Sequence, residues 1–160
     1  PFSGARGWSG EIGHICTDPS GPLCSCGATG CLEAYLGLRA LAERSGLDRH
    51  ATVEDIRTAA ENGSKQAREA LEEGGAALGR ALSAVINSAD IPLVLLGGIV
   101  AELSEWLVPA AEKEIETRVL QYAWSQPKLE VIRDSQGLDS CGAAYRILQR
   151  LVDDPMAWTA

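Results

Sequence analysis

Three cysteines, Cys24, Cys26 and Cys31, fall within eight residues, and His14 and Cys16 lie just upstream. Thiolates and imidazoles are zinc's preferred ligands, and structural sites take four of them in a tetrahedron. Cys24 and Cys26 can grip one ion from a tight turn, and Gly27 and Gly30 let the backbone curl so that Cys31 reaches the same ion. The fourth ligand is His14 or Cys16. His14 is favoured, because Cys16 lies closer to the centre of a loop that must turn back. Four protein ligands leave no open position for water, so this zinc is expected to be structural. The alternative, that these cysteines are small apolar fillers, fits poorly with three of them in eight residues between glycines. Cys141, on a helical stretch beside Gly142-Ala143-Ala144, reads as a buried small residue.

Two carboxylates flank the cluster. Glu11 stands three residues before His14 and Glu33 two after Cys31. A metal that ties both ends of the segment to one point makes Glu11, His14 and Glu33 converge. Carboxylates and an imidazole are good acceptors for vicinal hydroxyl groups, so a polyol or sugar site is plausible on chemistry alone. The plainer alternatives are a first-turn acid complementing a helix dipole for Glu33 and a solvated loop charge for Glu11.

The elements that must position these groups follow from periodicity. Residues 1–30, rich in Gly and Pro, read as irregular loop that needs a staple or a partner. Residues 31–45 read as a helix stopped by Gly46. Thr52 with Asp55 resembles a capping box opening a short helix that ends near Asn62-Gly63. Ser64 caps a longer helix toward Asn87, in which Gly74 and Gly75 imply close packing against a neighbour or a kink. The apolar run Ile91 to Leu96 suits a strand covered on both faces. An amphipathic helix follows from Glu102 to Leu120, with Leu103, Trp106, Leu107, Ala110, Ala111, Ile115 and Val119 on one side. A strand over 129–132 and a helix from Asp139 to Val152 complete a parallel α/β pattern. Trp106 and the Trp124 region are assigned to core, with an interface as the alternative. Two strands make a thin sheet for so many helices, and more strands are expected before Pro1.

Composition narrows the classes. Of 160 residues, 46% are apolar and 22% charged, as in a globular domain. The net charge is -8 and the 14 basic residues are scattered, which argues against a nucleic-acid footprint on this chain. The longest apolar stretch, Ile91 to Ala101, is too short to span a bilayer. No secretory signal opens the chain, so the cysteines favour a metal in a reducing, cytoplasmic setting over disulfides.

The segment Glu11-Ile12-Gly13-His14 followed by Cys24-Ser25-Cys26-Gly27-Ala28-Thr29-Gly30-Cys31-Leu32-Glu33 resembles the hallmark of the ROK family of repressors, open reading frames and sugar kinases. The resemblance implies that His14, Cys24, Cys26 and Cys31 bind zinc and that Glu11, His14 and Glu33 contact sugar hydroxyls. The histidine would use one ring nitrogen for each. It implies an α/β fold, the C-terminal part of an actin-like ATPase (ribonuclease H-like) fold with a zinc-stapled loop. Residues 1–160 then form one sugar-binding domain, incomplete relative to the family, with 11–33 its zinc and sugar motif. Leu95-Leu96-Gly97-Gly98 resembles the second glycine element of such folds, where Gly97 and Gly98 would approach a nucleotide; a tight turn is the plainer reading. Gly142-Ala143-Ala144 resembles the family's late helix, with close helix packing as its alternative.

ROK kinases also carry an Asp-x-Gly-x-Thr phosphate loop, a catalytic Asp and a Gly-Thr-Gly-rich strand before the Glu-x-Gly-His element, and none occurs in these 160 residues. Two parents are therefore weighed. One is a sugar-responsive transcriptional regulator with a DNA-binding module in an N-terminal part absent from this chain. The other is an ATP-dependent sugar kinase, with ATP as cosubstrate. Gly97-Gly98-Ile99, with a branched residue where a third glycine would admit a nucleotide, and the tail from Val152 to Trp158 favour the regulator. A zinc-stapled domain that binds no sugar is the blandest reading. The resemblance further implies a homodimer or tetramer.

Overall fold

The computed structural model describes residues 4–120, 122–132, 137–154 and 156. A 3-10 turn over Ile12–His14 precedes the cysteine loop, which leads into α1 (Glu33–Leu36) and α2 (Leu38–Arg44). The single helix expected over 31–45 is thus two, broken at Gly37, whose ψ of 134° is extended. A Cβ at Gly37 would stand 2.6 Å from Glu33 Oε1 and 2.7 Å from the Glu33 carbonyl oxygen, so the chain turns where a side chain is lacking.

The caps read from sequence form as expected. The Asp55 N–H donates to Thr52 Oγ1 (3.2 Å) and the Thr52 N–H to Asp55 Oδ2 (2.7 Å), opening α3 (Val53–Glu61). The Thr52 hydroxyl, donating to Asp55 Oδ2 at 2.7 Å, and then the Thr52 N–H hold the Asp55 carboxyl below its ordinary range. Ser64 Oγ accepts from the Ala67 N–H at 3.3 Å and opens α4 (Lys65–Ala89).

Strand β1 (Leu93–Leu96) pairs in parallel with β2 (Lys128–Val131), Leu93 opposite Lys128 and Leu96 opposite Val131. The crossover runs through α5 (Gly98–Glu102), α6 (Ser104–Arg118) and α7 (Tyr122–Ser125). The helix expected over 102–120 is therefore α6, preceded by the separate turn of α5. Its predicted inner side holds: Leu103, Leu107, Ala110, Ala111, Ile115 and Val119 are buried, with Trp106 half-buried against them.

Helices α4 and α6 form the centre of the core. Gly75 and Gly79, one turn apart, share the face of α4 that meets α6. A Cβ on Gly75 would run into the Leu107 carbonyl oxygen, and one on Gly79 into that of Ala111. Gly74 faces Leu36 of α1, its absent Cβ 2.7 Å from Leu36 Cδ2. The expectation of close packing holds here.

Elsewhere expectations fail. β1 is not covered on both faces: Val94 and Leu96 pack toward the core, but Leu93 and Leu95 alternate outward and are exposed. Helix α8 (Leu138–Asp153) lies where expected, yet Tyr145, Ile147, Leu148 and Leu151 are exposed. Cys141 is likewise exposed rather than buried, and among the described residues nothing lies within 4 Å of a Cβ built on Gly142, so the close helix packing expected there is not formed among them. Trp124 is 83% exposed and is not core. Pro155, Ala157 and Trp158 of the tail lie outside the described residues. No helix among the described residues is long and apolar enough to cross a membrane.

Candidate functional site

The loop is built from a narrow two-stranded ladder. The Thr17 N–H donates to the Gly30 carbonyl (2.7 Å) and the Leu32 N–H to that of Ile15 (3.0 Å), placing Cys16 opposite Cys31. A second bridge sets Leu23 opposite Thr29, and the Cys24 N–H closes the turn on the Ala28 carbonyl at 2.7 Å. Gly30 is obligatory: its φ is +72°, and a Cβ there would overlap the Asp18 carbonyl.

This ladder gathers the cluster. One ligand atom each from His14, Cys24, Cys26 and Cys31 lies within 4.8 Å of the others. Cys24 Sγ is 3.8 Å from His14 Nδ1, and Cys26 Sγ is 3.7 Å from Cys31 Sγ. Zinc–sulfur bonds of about 2.3 Å at tetrahedral angles put neighbouring sulfurs about 3.8 Å apart. The donor set and its spacing fit zinc, and the residue brought in as fourth member is His14; Cys16 is outside the group. Its Nδ1 faces the sulfurs, which leaves Nε2 as the ring's second hydrogen-bonding atom.

The thiols are poised unequally. The backbone N–H of Cys26 donating to its sulfur outweighs burial and brings Cys24 down to about 7. Burial, with the neighbouring sulfurs, pushes Cys31 up to about 12. A cation in their midst favours both thiolates, so metal binding would release protons.

Of the three hydroxyl-binding candidates, the fold brings Glu33 and the His14 turn together. A Cβ on Gly13 would stand 3.4 Å from Glu33 Oε2, so the carboxylate is seated between Gly13 and Gly37. Glu33 is exposed and borders a cleft of about 540 Å³ that continues past Leu38 and Arg39. Glu11 opens the same turn, its carbonyl accepting the His14 N–H at 3.1 Å, and its side chain is exposed. Gly97 and Gly98 belong to a different locality, the end of β1 and the start of α5, where Gly98 has φ +57°. Ile99 is half-buried against the core, so the expectation that it crowds a nucleotide is not supported: its side chain packs inward.

Sequence reading missed the groups that anchor the loop to the helices. The Tyr35 hydroxyl donates to Asp18 Oδ2 at 3.2 Å, Arg44 stacks 4.9 Å from the Tyr35 ring centre, and Arg44 pairs with Glu73 of α4. Burial, then Asp18, pushes the Tyr35 hydroxyl above its ordinary value, keeping it a donor. The available signal was Asp18-Pro19-Ser20-Gly21, a turn sequence whose Asp18 Oδ1 accepts the Ser20 N–H at 2.9 Å.

A sequence model of the ROK family matches residues 1–150. The chain belongs to the ROK family. It is 31% identical over 160 residues to the DNA-binding transcriptional dual regulator NagC of Escherichia coli (strain K12), covering 93% of this chain and 39% of that protein. It is 29% identical over 154 residues to the N-acetylmannosamine kinase of Haemophilus influenzae (strain PittGG), covering 96% and 50%. Among solved structures, a ROK family transcriptional regulator described as a homologue of the E. coli MLC protein superposes with a TM-score of 0.69 at 30% identity, covering 81% of this chain and 36% of that one. The ROK hexokinase from Thermus thermophilus superposes with a TM-score of 0.69 at 26% identity, covering 85% and 46%. This ROK chain thus spans half or less of the length of these relatives, which include both transcriptional regulators and kinases.

Proposed function

We propose that this chain is the zinc-stapled, sugar-binding part of a sugar-responsive transcriptional regulator. The observation that carries the sugar reading is the placement of His14. Its Nδ1 sits 3.8 Å from Cys24 Sγ, which leaves Nε2 for a ligand hydroxyl, while the Glu33 carboxylate lies against the adjacent Gly13. Zinc held by His14, Cys24, Cys26 and Cys31 would fix the ring's orientation and tautomer. Glu11 and Glu33 would accept hydroxyl protons beside it.

Support for regulator over kinase comes from the sequence of the tail from Val152 to Trp158, which resembles the endings of the family's regulators. Asp18, engaged by the Tyr35 hydroxyl and the Ser20 N–H, serves the staple, and the kinase reading needs its catalytic base from another part of the protein. Sugar binding would then act by differential affinity for two states of a homodimer or tetramer, with DNA contacted by another part of the protein. The kinase reading draws on Gly97 and Gly98, which open α5 directly after β1, where ATP phosphates would meet backbone N–H groups.

Calorimetry of the full-length protein with hexoses and N-acetylhexosamines, run beside an assay for sugar-dependent ADP formation, separates the readings. Binding without ADP supports the regulator. Sugar-dependent ADP makes the parent a kinase, and no binding by any sugar removes both. Glu33→Gln is expected to abolish sugar binding with zinc content unchanged, whereas His14→Ala is expected to lower both.

A further inference from the structure

Cys16 stands outside the ligand group, yet its place in the ladder is specific. The bonds from Thr17 N–H to the Gly30 carbonyl and from Leu32 N–H to the Ile15 carbonyl flank it on both sides. Cys16 and Cys31 are therefore directly opposed in an antiparallel bridge and exchange no hydrogen bonds with each other. Such pairs bring their Cα atoms to about 4.5 Å, inside the range of roughly 4.4–6.8 Å that disulfides span. Directly opposed side chains also project to the same face of a ladder. Cys31 Sγ lies 3.7 Å from the His14 carbonyl oxygen, against the strand that carries Cys16. Exposure divides the roles: Cys16 is open to solvent, while Cys31 is 1% exposed.

We propose that Cys16 and Cys31 form a redox couple, in which oxidation by a hydroperoxide links them and withdraws Cys31 from the metal-ligand group. The terminal peroxide oxygen passes to the exposed Cys16 sulfur; the O–O bond breaks, and the leaving oxygen takes the thiol proton. The Cys31 sulfur then attacks the resulting sulfenic sulfur as its thiol proton passes to the departing oxygen. An S–S bond forms, the S–O and S–H bonds break, and water leaves. Two electrons leave the sulfurs and reduce the peroxide. A dithiol reverses the link by exchange. The consequence for the metal rests on the zinc reading above, whereas the link itself does not.

The test uses the full chain, with zinc content measured before treatment. Hydrogen peroxide is added, free thiols are alkylated, and the protein is cut before Asp18, which puts Cys16 and Cys31 on different peptides. Fragment sequencing by mass spectrometry identifies the linked pair, and a chromogenic chelator follows zinc release. A dominant Cys16–Cys31 link is expected, with zinc released in step and the link reversed by dithiothreitol. Cys16→Ala and Cys16→Ser, both at an exposed position, are expected to release zinc at least several-fold more slowly. A Cys26–Cys31 or Cys24–Cys26 link in its place overturns the proposal, as does equal zinc release from Cys16→Ala. Zinc-loaded protein that forms no Cys16–Cys31 link refutes the couple and leaves the metal reading intact. Zinc-free protein that forms the link refutes the metal reading and leaves the couple.

Discussion

Across residues 11–33 five residues are buried, Thr17, Cys24, Gly30, Cys31 and Leu32, whereas α4 alone buries twelve. The α4–α6 pair is held by volume. Leu71, Leu103, Leu107 and Ile115 are fully buried, each such side chain contributing about 1.5–3 kcal/mol. The loop has almost no apolar volume to bury. Its order rests on cross-strand hydrogen bonds, on the Asp18–Tyr35–Arg44–Glu73 chain and on four ligand atoms within 4.8 Å. One region should therefore respond to metal and pH, the other to changes of size, with little exchange between them.

The largest effect should come from removing the proposed zinc. Chelation, or the double change Cys24→Ser and Cys26→Ser, is expected to cost the loop on the order of several kcal/mol. Hydrogen exchange should rise at the Thr17, Cys24 and Gly30 amides while α4 and α6 amides keep their protection. Loss of α4 protection in parallel would mean that the two regions are one cooperative unit. Acid should act in the same direction. Cys24 is brought down to about 7 and Cys31 pushed up to about 12, so protons would compete with the proposed zinc for both sulfurs, and zinc affinity should fall from neutral to mildly acidic pH.

Next in size is Gly79→Ala, which places a Cβ against the Ala111 carbonyl oxygen and the Glu114 Cβ, 2.7 Å away. Backbone cannot yield as a side-chain end can, so a loss of about 1–3 kcal/mol is expected by urea unfolding. Gly74→Ala meets side chains alone, Leu36 Cδ2 at 2.7 Å and Leu107 Cδ2 at 3.5 Å, and should cost clearly less. Equal losses would show that α4 and α6 can separate freely. Tyr35→Phe should come below these, at about 1 kcal/mol, since it removes the donor to Asp18. Its mark is locality: faster exchange in the loop, unchanged exchange in α4.

The contrast also explains what was legible. The caps at Thr52 and Ser64, the inner face of α6 and the pairing of β1 with β2 depend on neighbours in sequence or on simple periodicity, and they formed as read. His14 joined Cys24, Cys26 and Cys31 because ligand chemistry restricts the set more than the fold does. The break at Gly37 was not legible, since it depends on the Glu33 carboxylate folding back over it. Nor was the exposure of Leu95, Cys141 and Trp124, because periodicity says which face is apolar and not whether another layer lies against it.

The smallest expected effect tests whether the volume-held pair carries any pH sensitivity of its own. Glu114 on α6 accepts from Arg80 Nη1 of α4 at 3.0 Å and pairs with Arg118 on its own helix. Burial raises its carboxyl, but Arg118 and Arg80 together outweigh burial and set it below 4.5. A carboxyl held low in the folded state stabilises above its unfolded value and loses that contribution as pH falls through the folded one. Arg118 is half exposed, so solvent screening limits the pair to about 0.5 kcal/mol. Glu114→Gln should therefore be slightly less stable than the parent at neutral pH, and the two urea midpoints should converge on acidification below 4.5. Asn87 ties the same helix end through bonds to the Arg118 carbonyl (3.0 Å) and the Leu120 N–H (2.9 Å), and neither titrates. A gap between the midpoints that persists into acid would therefore assign the loss to packing around Glu114, and the pair would be insensitive to pH altogether.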